Sequence, residues 1–143
     1  MLLADFAQVS DGKLNVIGGG WSITGPDPVP FGIAILIHVP WDQANRPHVL
    51  RLELLDTDGD AVTIETEEGA EEPIVFLDDI SFEVGRPAGI KPGTALEFPL
   101  SVNSGPLPLE PGKRYEWRLS IDGITDDDWR LPFSVRAVGE EAE

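Results

Sequence analysis

The chain has no cysteine at any of its 143 positions. That excludes disulfides, thiolate metal centres and a cysteine nucleophile, and it suits a reducing compartment. Basic residues are scarce: ten Lys and Arg stand against 26 Asp and Glu, for a net charge of −16. Binding to nucleic acid relies on Lys and Arg displacing counterions from phosphates, so nucleic acid is not an expected partner. The same deficit disfavours an anionic membrane surface. Long apolar runs are also missing, and Met1-Leu2-Leu3-Ala4-Asp5 lacks the basic leader and sustained apolar stretch of a secretory signal. The expected location is therefore the cytoplasm. No segment carries a helical period over three turns, which leaves an all-β chain as the expectation.

What is present is punctuation and alternation. Fifteen Gly and 13 Pro are dispersed between short apolar segments, as suits many strands joined by turns. The clearest segment is Leu109 to Ile121: Tyr115, Trp117, Leu119 and Ile121 fall on one face of an extended strand, and Glu116, Arg118 and Ser120 on the other. Upstream, Leu109 and Pro111-Gly112 give the spacing of a tyrosine corner, in which a Tyr hydroxyl bonds backbone just before its strand.

In chain order, Leu2 to Val9 and Lys13 to Ile17 read as a hairpin around Ser10-Asp11-Gly12, ended by Gly18-Gly19-Gly20. A short strand at Trp21 to Ile23 precedes a proline linker, Gly25 to Pro30. Phe31 to Val39 is apolar on both faces and reads as a central strand. After a loop or single helical turn, Leu50, Leu52 and Leu54 define a half-buried strand, and Asp58-Gly59 turns it toward Ala61 to Thr66. Thr66 to Glu72 reads as a solvated loop, followed by Ile80, Phe82 and Val84 pointing inward. Leu96, Phe98, Leu100 and Val102 share a face, with Pro99 opposite them favouring a strand edge or bulge. Trp129, Leu131, Phe133, Val135 and Ala137 close the series. The expectation is one antiparallel β-sandwich of about eight to nine strands, immunoglobulin-like, over residues 1–138, with an acidic frayed tail at 139–143.

Candidate chemistry is sparse. Asp56, Asp58, Asp60 and Glu67 stand at positions one, three, five and twelve of a calcium-loop spacing, but the sixth position is Ala61 and the flanks read as strands. A plain hairpin with solvated carboxylates accounts for the same residues. Asp126, Asp127 and Asp128 form a second acidic cluster and read as a solvated loop. Adjacent Asp78 and Asp79 point to opposite faces of a strand, which argues against an acid–base dyad. His38 reads as a partly buried strand residue and His48 as a loop-edge residue, and two His without Cys do not make a zinc motif. The glycine triplet lacks the Lys-Ser/Thr ending of a phosphate loop, and no serine sits in a nucleophile elbow. Trp21 and Trp41, beside Gly and Pro in expected loops, are the candidate partner-binding residues; the alternative is that they cover the ends of the fold.

Several segments together carry a family likeness: Ala4-Asp5-Phe6-Ala7-Gln8-Val9, Gly12 to Trp21, Val39-Pro40-Trp41-Asp42, Leu54 to Gly59, and Pro111-Gly112 through Leu119. In these the chain resembles an uncharacterised family of small bacterial, mainly actinobacterial, single-domain proteins. The likeness spans nearly the whole chain and implies a stand-alone domain, with no activity to transfer. A weaker likeness to immunoglobulin and fibronectin-like sandwiches rests on the tyrosine corner and the strand count. The function this supports is a non-catalytic interaction module, not an enzyme, that needs no cofactor and engages an unidentified protein or a second copy of itself. The alternative is a calcium-dependent module or metal-dependent enzyme using the Asp56, Asp58, Asp60 and Glu67 carboxylates.

Overall fold

The computed structural model describes residues 1–139 and is all-β. The acidic tail expected at 139–143 lies outside the described residues apart from Gly139. The strands are β1 (Leu2–Ala4), β2 (Phe6–Ser10), β3 (Lys13–Ile17), β4 (Ile23–Thr24), β5 (Phe31–Val39), β6 (His48–Asp56), β7 (Thr63–Glu65), β8 (Glu71–Pro73), β9 (Ile80–Phe82), β10 (Leu96–Ser104), β11 (Arg114–Ile121) and β12 (Arg130–Val135). Two short 3₁₀ turns, Trp41–Gln43 and Asp127–Trp129, complete the set among the described residues. Twelve strands replace the eight or nine expected because several are only two or three residues long, below what an alternation pattern can register.

One sheet has the order β1-β5-β10 and the other β4-β12-β11-β6-β9, with β2-β3 and β7-β8 as separate hairpins. Pairing is antiparallel except where Ile23 and Thr24 run parallel to Ser134 and Val135 at the sheet edge. The long strands fall where the alternation puts them. Phe31–Val39 is the centre of its sheet, flanked by Leu2–Ala4 on one side and by all of Leu96–Ser104 on the other. Pro99 lies on β10, an edge strand, where its missing N–H costs no ladder bond.

The two larger sheets share one core. Ile33, Ile35, Ile37 and Val39 from β5 join Leu50, Leu52 and Leu54 from β6, Tyr115, Trp117 and Leu119 from β11, and Phe133 and Val135 from β12. Trp117 has no exposed surface; its ring stacks on Phe76 at 4.9 Å and meets Phe31 of the other sheet at 6.0 Å. The Tyr115 hydroxyl accepts from Glu110 N–H at 2.9 Å, the bond that the corner spacing predicts.

Several local expectations are corrected. Leu2 to Val9 is two strands, broken where Asp5 N–H turns aside to the carbonyls of Ile17 and Gly18. At that break Gly18 has a φ of +61°, and a Cβ there would run into the Asp5 carboxylate. Glu71–Pro73 is a strand within the expected acidic loop, paired with Thr63–Glu65. Ile80 is half exposed because β9 is the edge strand of its sheet. Leu36 and His38, on the outer face of β5, are exposed because the β2-β3 hairpin covers only the other end of that strand.

Candidate functional site

The deepest polar feature is His48, the one buried residue among the described residues whose side chain can carry a charge at neutral pH. It opens β6, where Pro47 ends the preceding loop and the strand enters the core. Its Nδ1 lies 2.7 Å from Asp122 Oδ2 and its Nε2 lies 2.9 Å from the Gln43 carbonyl. A carbonyl only accepts, so Nε2 carries a proton; the ionised carboxylate accepts from Nδ1–H, and the ring is an imidazolium donating from both nitrogens. The pKa shifts agree: the Asp122 hydrogen bond, reinforced by Gln43, raises His48 above its ordinary value, and the His48 bond lowers Asp122.

The pair is a clamp. Asp122 sits at positive φ in the turn after β11, and its other oxygen accepts from Val49 N–H at 2.9 Å. The carboxylate thus ties the end of β11 to the start of β6, and the His48 ring carries the link on to Gln43 of the 3₁₀ turn. With both nitrogens occupied, His48 has no lone pair for a metal or a substrate proton. The loop-edge reading of His48 is corrected: 74 residues separate it from Asp122, and nothing in the local sequence marks that pairing. The Asp122-Gly123 turn signal locates the carboxylate without revealing its partner.

Beside the clamp opens a cleft of about 670 Å³ between the two sheets. Its walls are Ile35, Ile37 and Val39 of β5, Leu119 and Ile121 of β11, and Trp129, with His38, Asp122 and Asp128 among its polar residues. Ile124, two-thirds exposed, also lines it. Alternation identified most of the wall residues, but as core; only the pairing of strands shows that this end of the core is open. A second void, about 40 Å³ and lined by Trp21, Trp117 and Phe133, is too small for an organic ligand.

The residues singled out from sequence fall elsewhere. Trp21 is half-buried, edge to face with Phe133 at 6.5 Å, and its Nε1 is buried without a partner. Trp41 is half-buried beneath the Arg86 guanidinium, 4.8 Å from its ring centre, and its carbonyl accepts from the same side chain. The two do not line one pocket. Asp56, Asp58 and Asp60 do converge, with carboxylate oxygens within 4.8 Å of one another. Asp56 Oδ1 already accepts from Asp58 N–H and Asp60 N–H, the bonds that close the turn. Glu67 is not part of that cluster and sits in the β7-β8 connection. Asp126 caps the second 3₁₀ turn through Asp128 N–H, and Asp78 is bonded to Arg51 at 2.6 Å.

Fold and site together define an all-β domain in which His48, the one buried charged residue among those described, is a structural clamp beside an open apolar cleft. No helix among the described residues is long and apolar enough to cross a membrane. The chain belongs to DUF6941, a family of unknown function whose model matches residues 1–136. No curated protein and no solved structure matches it.

Proposed function

We propose that this protein is a non-catalytic interaction module: a β-sandwich of immunoglobulin-like character, working in the cytoplasm, that captures a protein partner in the cleft between its sheets. The observation that carries this reading is the cleft, apolar along both walls and large enough for several side chains. Its best-placed ionisable pair is spent on structure, with every hydrogen-bonding position of the His48 ring filled. Sandwich architecture is supported by the single core that both sheets feed, and immunoglobulin-like character by the Tyr115 corner. The net charge of −16 argues against nucleic acid and anionic membranes as partners. A photo-crosslinking amino acid in place of Ile124, at the cleft, is expected to trap a partner in living cells, while one in place of Ile17, on the exposed β2-β3 hairpin, traps none. Equal yields from both positions remove the cleft from the reading.

A calcium-dependent module is the second reading, favoured by the convergence of Asp56, Asp58 and Asp60. An ion that binds only the folded chain raises its melting midpoint. Midpoints that agree in millimolar calcium and in chelator dismiss it.

A further inference from the structure

Strand β5 is nine residues long, yet its two neighbours cover it unequally. On one side β10 pairs with every residue from Phe31 to Val39, while on the other β1 reaches only Gly32 to Ala34. The rest of that second edge borders the cleft described above.

The register shows which backbone groups are left over. In an antiparallel pair, opposed residues alternate between those that exchange bonds with each other and those whose N–H and C=O face away. Pro99 lies opposite Leu36 and has no N–H to exchange. On an edge strand it belongs where its backbone faces outward, so Leu36 opposite it faces the other way. By the same alternation Gly32, Ala34, Leu36 and His38 all present their N–H and C=O to the β1 side. Ala4 and Leu2 answer Gly32 and Ala34. Among the described residues no strand answers Leu36 and His38. The facing wall has no such edge: Ile121 exchanges bonds with Ile124, and the Leu119 carbonyl accepts from the Thr125 hydroxyl.

We propose that this open edge of β5 accepts an extended, basic peptide segment of a partner protein as an added strand, in line with β1 and antiparallel to β5. The inference rests on the reading of the cleft as a partner site and names what enters it. Two N–H and two C=O groups at Leu36 and His38 fix the incoming backbone. Alternate side chains of the peptide enter the apolar cleft beside Ile35, Ile37 and Trp129. Charge selects the occupant. The charged and titratable groups lining the cleft are the Met1 amino group, His38, His48, Asp122 and Asp128; His48 and Asp122 neutralise each other and the amino group offsets Asp128, so the attraction for a basic segment comes from the chain's net charge of −16. A basic segment is attracted there, whereas a second copy of this chain brings another net charge of −16.

The test uses the whole chain and a fluorescein-labelled probe peptide of alternating Lys and Val, read by anisotropy, alongside an alternating Glu and Val control. Two further forms of the basic probe carry N-methyl groups on alternate residues, one on each edge of the extended peptide. The basic probe is expected to bind and the acidic one not. One N-methylated form should lose at least about tenfold in affinity, the equivalent of one or two hydrogen bonds, while the other stays within about twofold of the parent. Equal binding by both methylated forms means attraction by charge alone and overturns the proposal, as does failure of the parent probe to bind. Sedimentation showing a dimer that the probe cannot dissociate assigns the edge to a second copy and also overturns it. If the peptide fails while a crosslinker in place of Ile124 still traps a partner in cells, strand addition is wrong and the interaction module stands; if both fail, both readings fall.

Discussion

At the scale of single residues, His48 shows how a buried ionisable group can hold a structure together instead of doing chemistry. Its folded pKa is raised, so its contribution is complete below its ordinary value of 6.5 and is lost as pH rises through the folded value. Asp122 is lowered, so its contribution is complete above its ordinary value of 3.8 and is lost as pH falls through the folded value. The clamp is therefore strongest between about pH 4 and 6.5. Replacing His48→Gln should cost about 1 to 2 kcal/mol in that window, the lower part of the range for charged hydrogen bonds because Asp122 is about half exposed. Urea melts at pH 5.5 and pH 9 measure it: the gap between wild type and variant should narrow at the higher pH. A gap that is constant or widens means the ring is neutral in the folded state.

At the scale of elements, the β2-β3 hairpin docks through a side chain that imitates a strand. The Asn103 amide donates to the Ala7 carbonyl at 2.7 Å and its oxygen accepts from Ala7 N–H at 3.1 Å, so β10 pairs with β2 through one residue. Gly32 makes room for this, since a Cβ there would lie 2.5 Å from the Asn103 oxygen and 3.0 Å from Ala7 N. Asn103→Ala leaves both Ala7 backbone groups unpaired and should cost about 1 to 3 kcal/mol. Gly32→Ala should destabilise in the same direction by displacing the amide. Hydrogen exchange localises both effects: the hairpin amides should lose protection while those of β6 and β11 keep it. Loss of protection in β11 as well means that the hairpin is integral to the core.

At the scale of the whole molecule, the core and the charge pull in opposite directions. Burial of large apolar side chains such as Trp117 supplies roughly 1.5 to 3 kcal/mol each, while 16 uncompensated negative charges repel one another across the surface. Ion pairs such as Arg118–Glu116 at 2.8 Å relieve that repulsion only locally. Sodium chloride at 0.5 M should therefore raise the melting temperature by several degrees, about what 1 kcal/mol achieves in a domain of this size, because screening acts on the net repulsion. A fall in melting temperature means that favourable ion pairs outweigh it.

What the sequence determined by itself were the features that repeat over short distances. Alternation placed β5, β10, β11 and β12, Pro99 favoured a strand edge or bulge, and the Leu109-Pro111-Tyr115 spacing predicted the corner bond, because strand period and turn chemistry act between neighbours in the chain. Tertiary structure alone decided which carboxylate meets His48 across 74 residues, and that Trp21 packs on Phe133. It also decided that β1 lies against Gly32 to Ala34, with no strand beside Leu36 and His38 on that side among the described residues. Those outcomes depend on which strands lie side by side, and pairing is set by the fit of the whole core, which no local pattern contains.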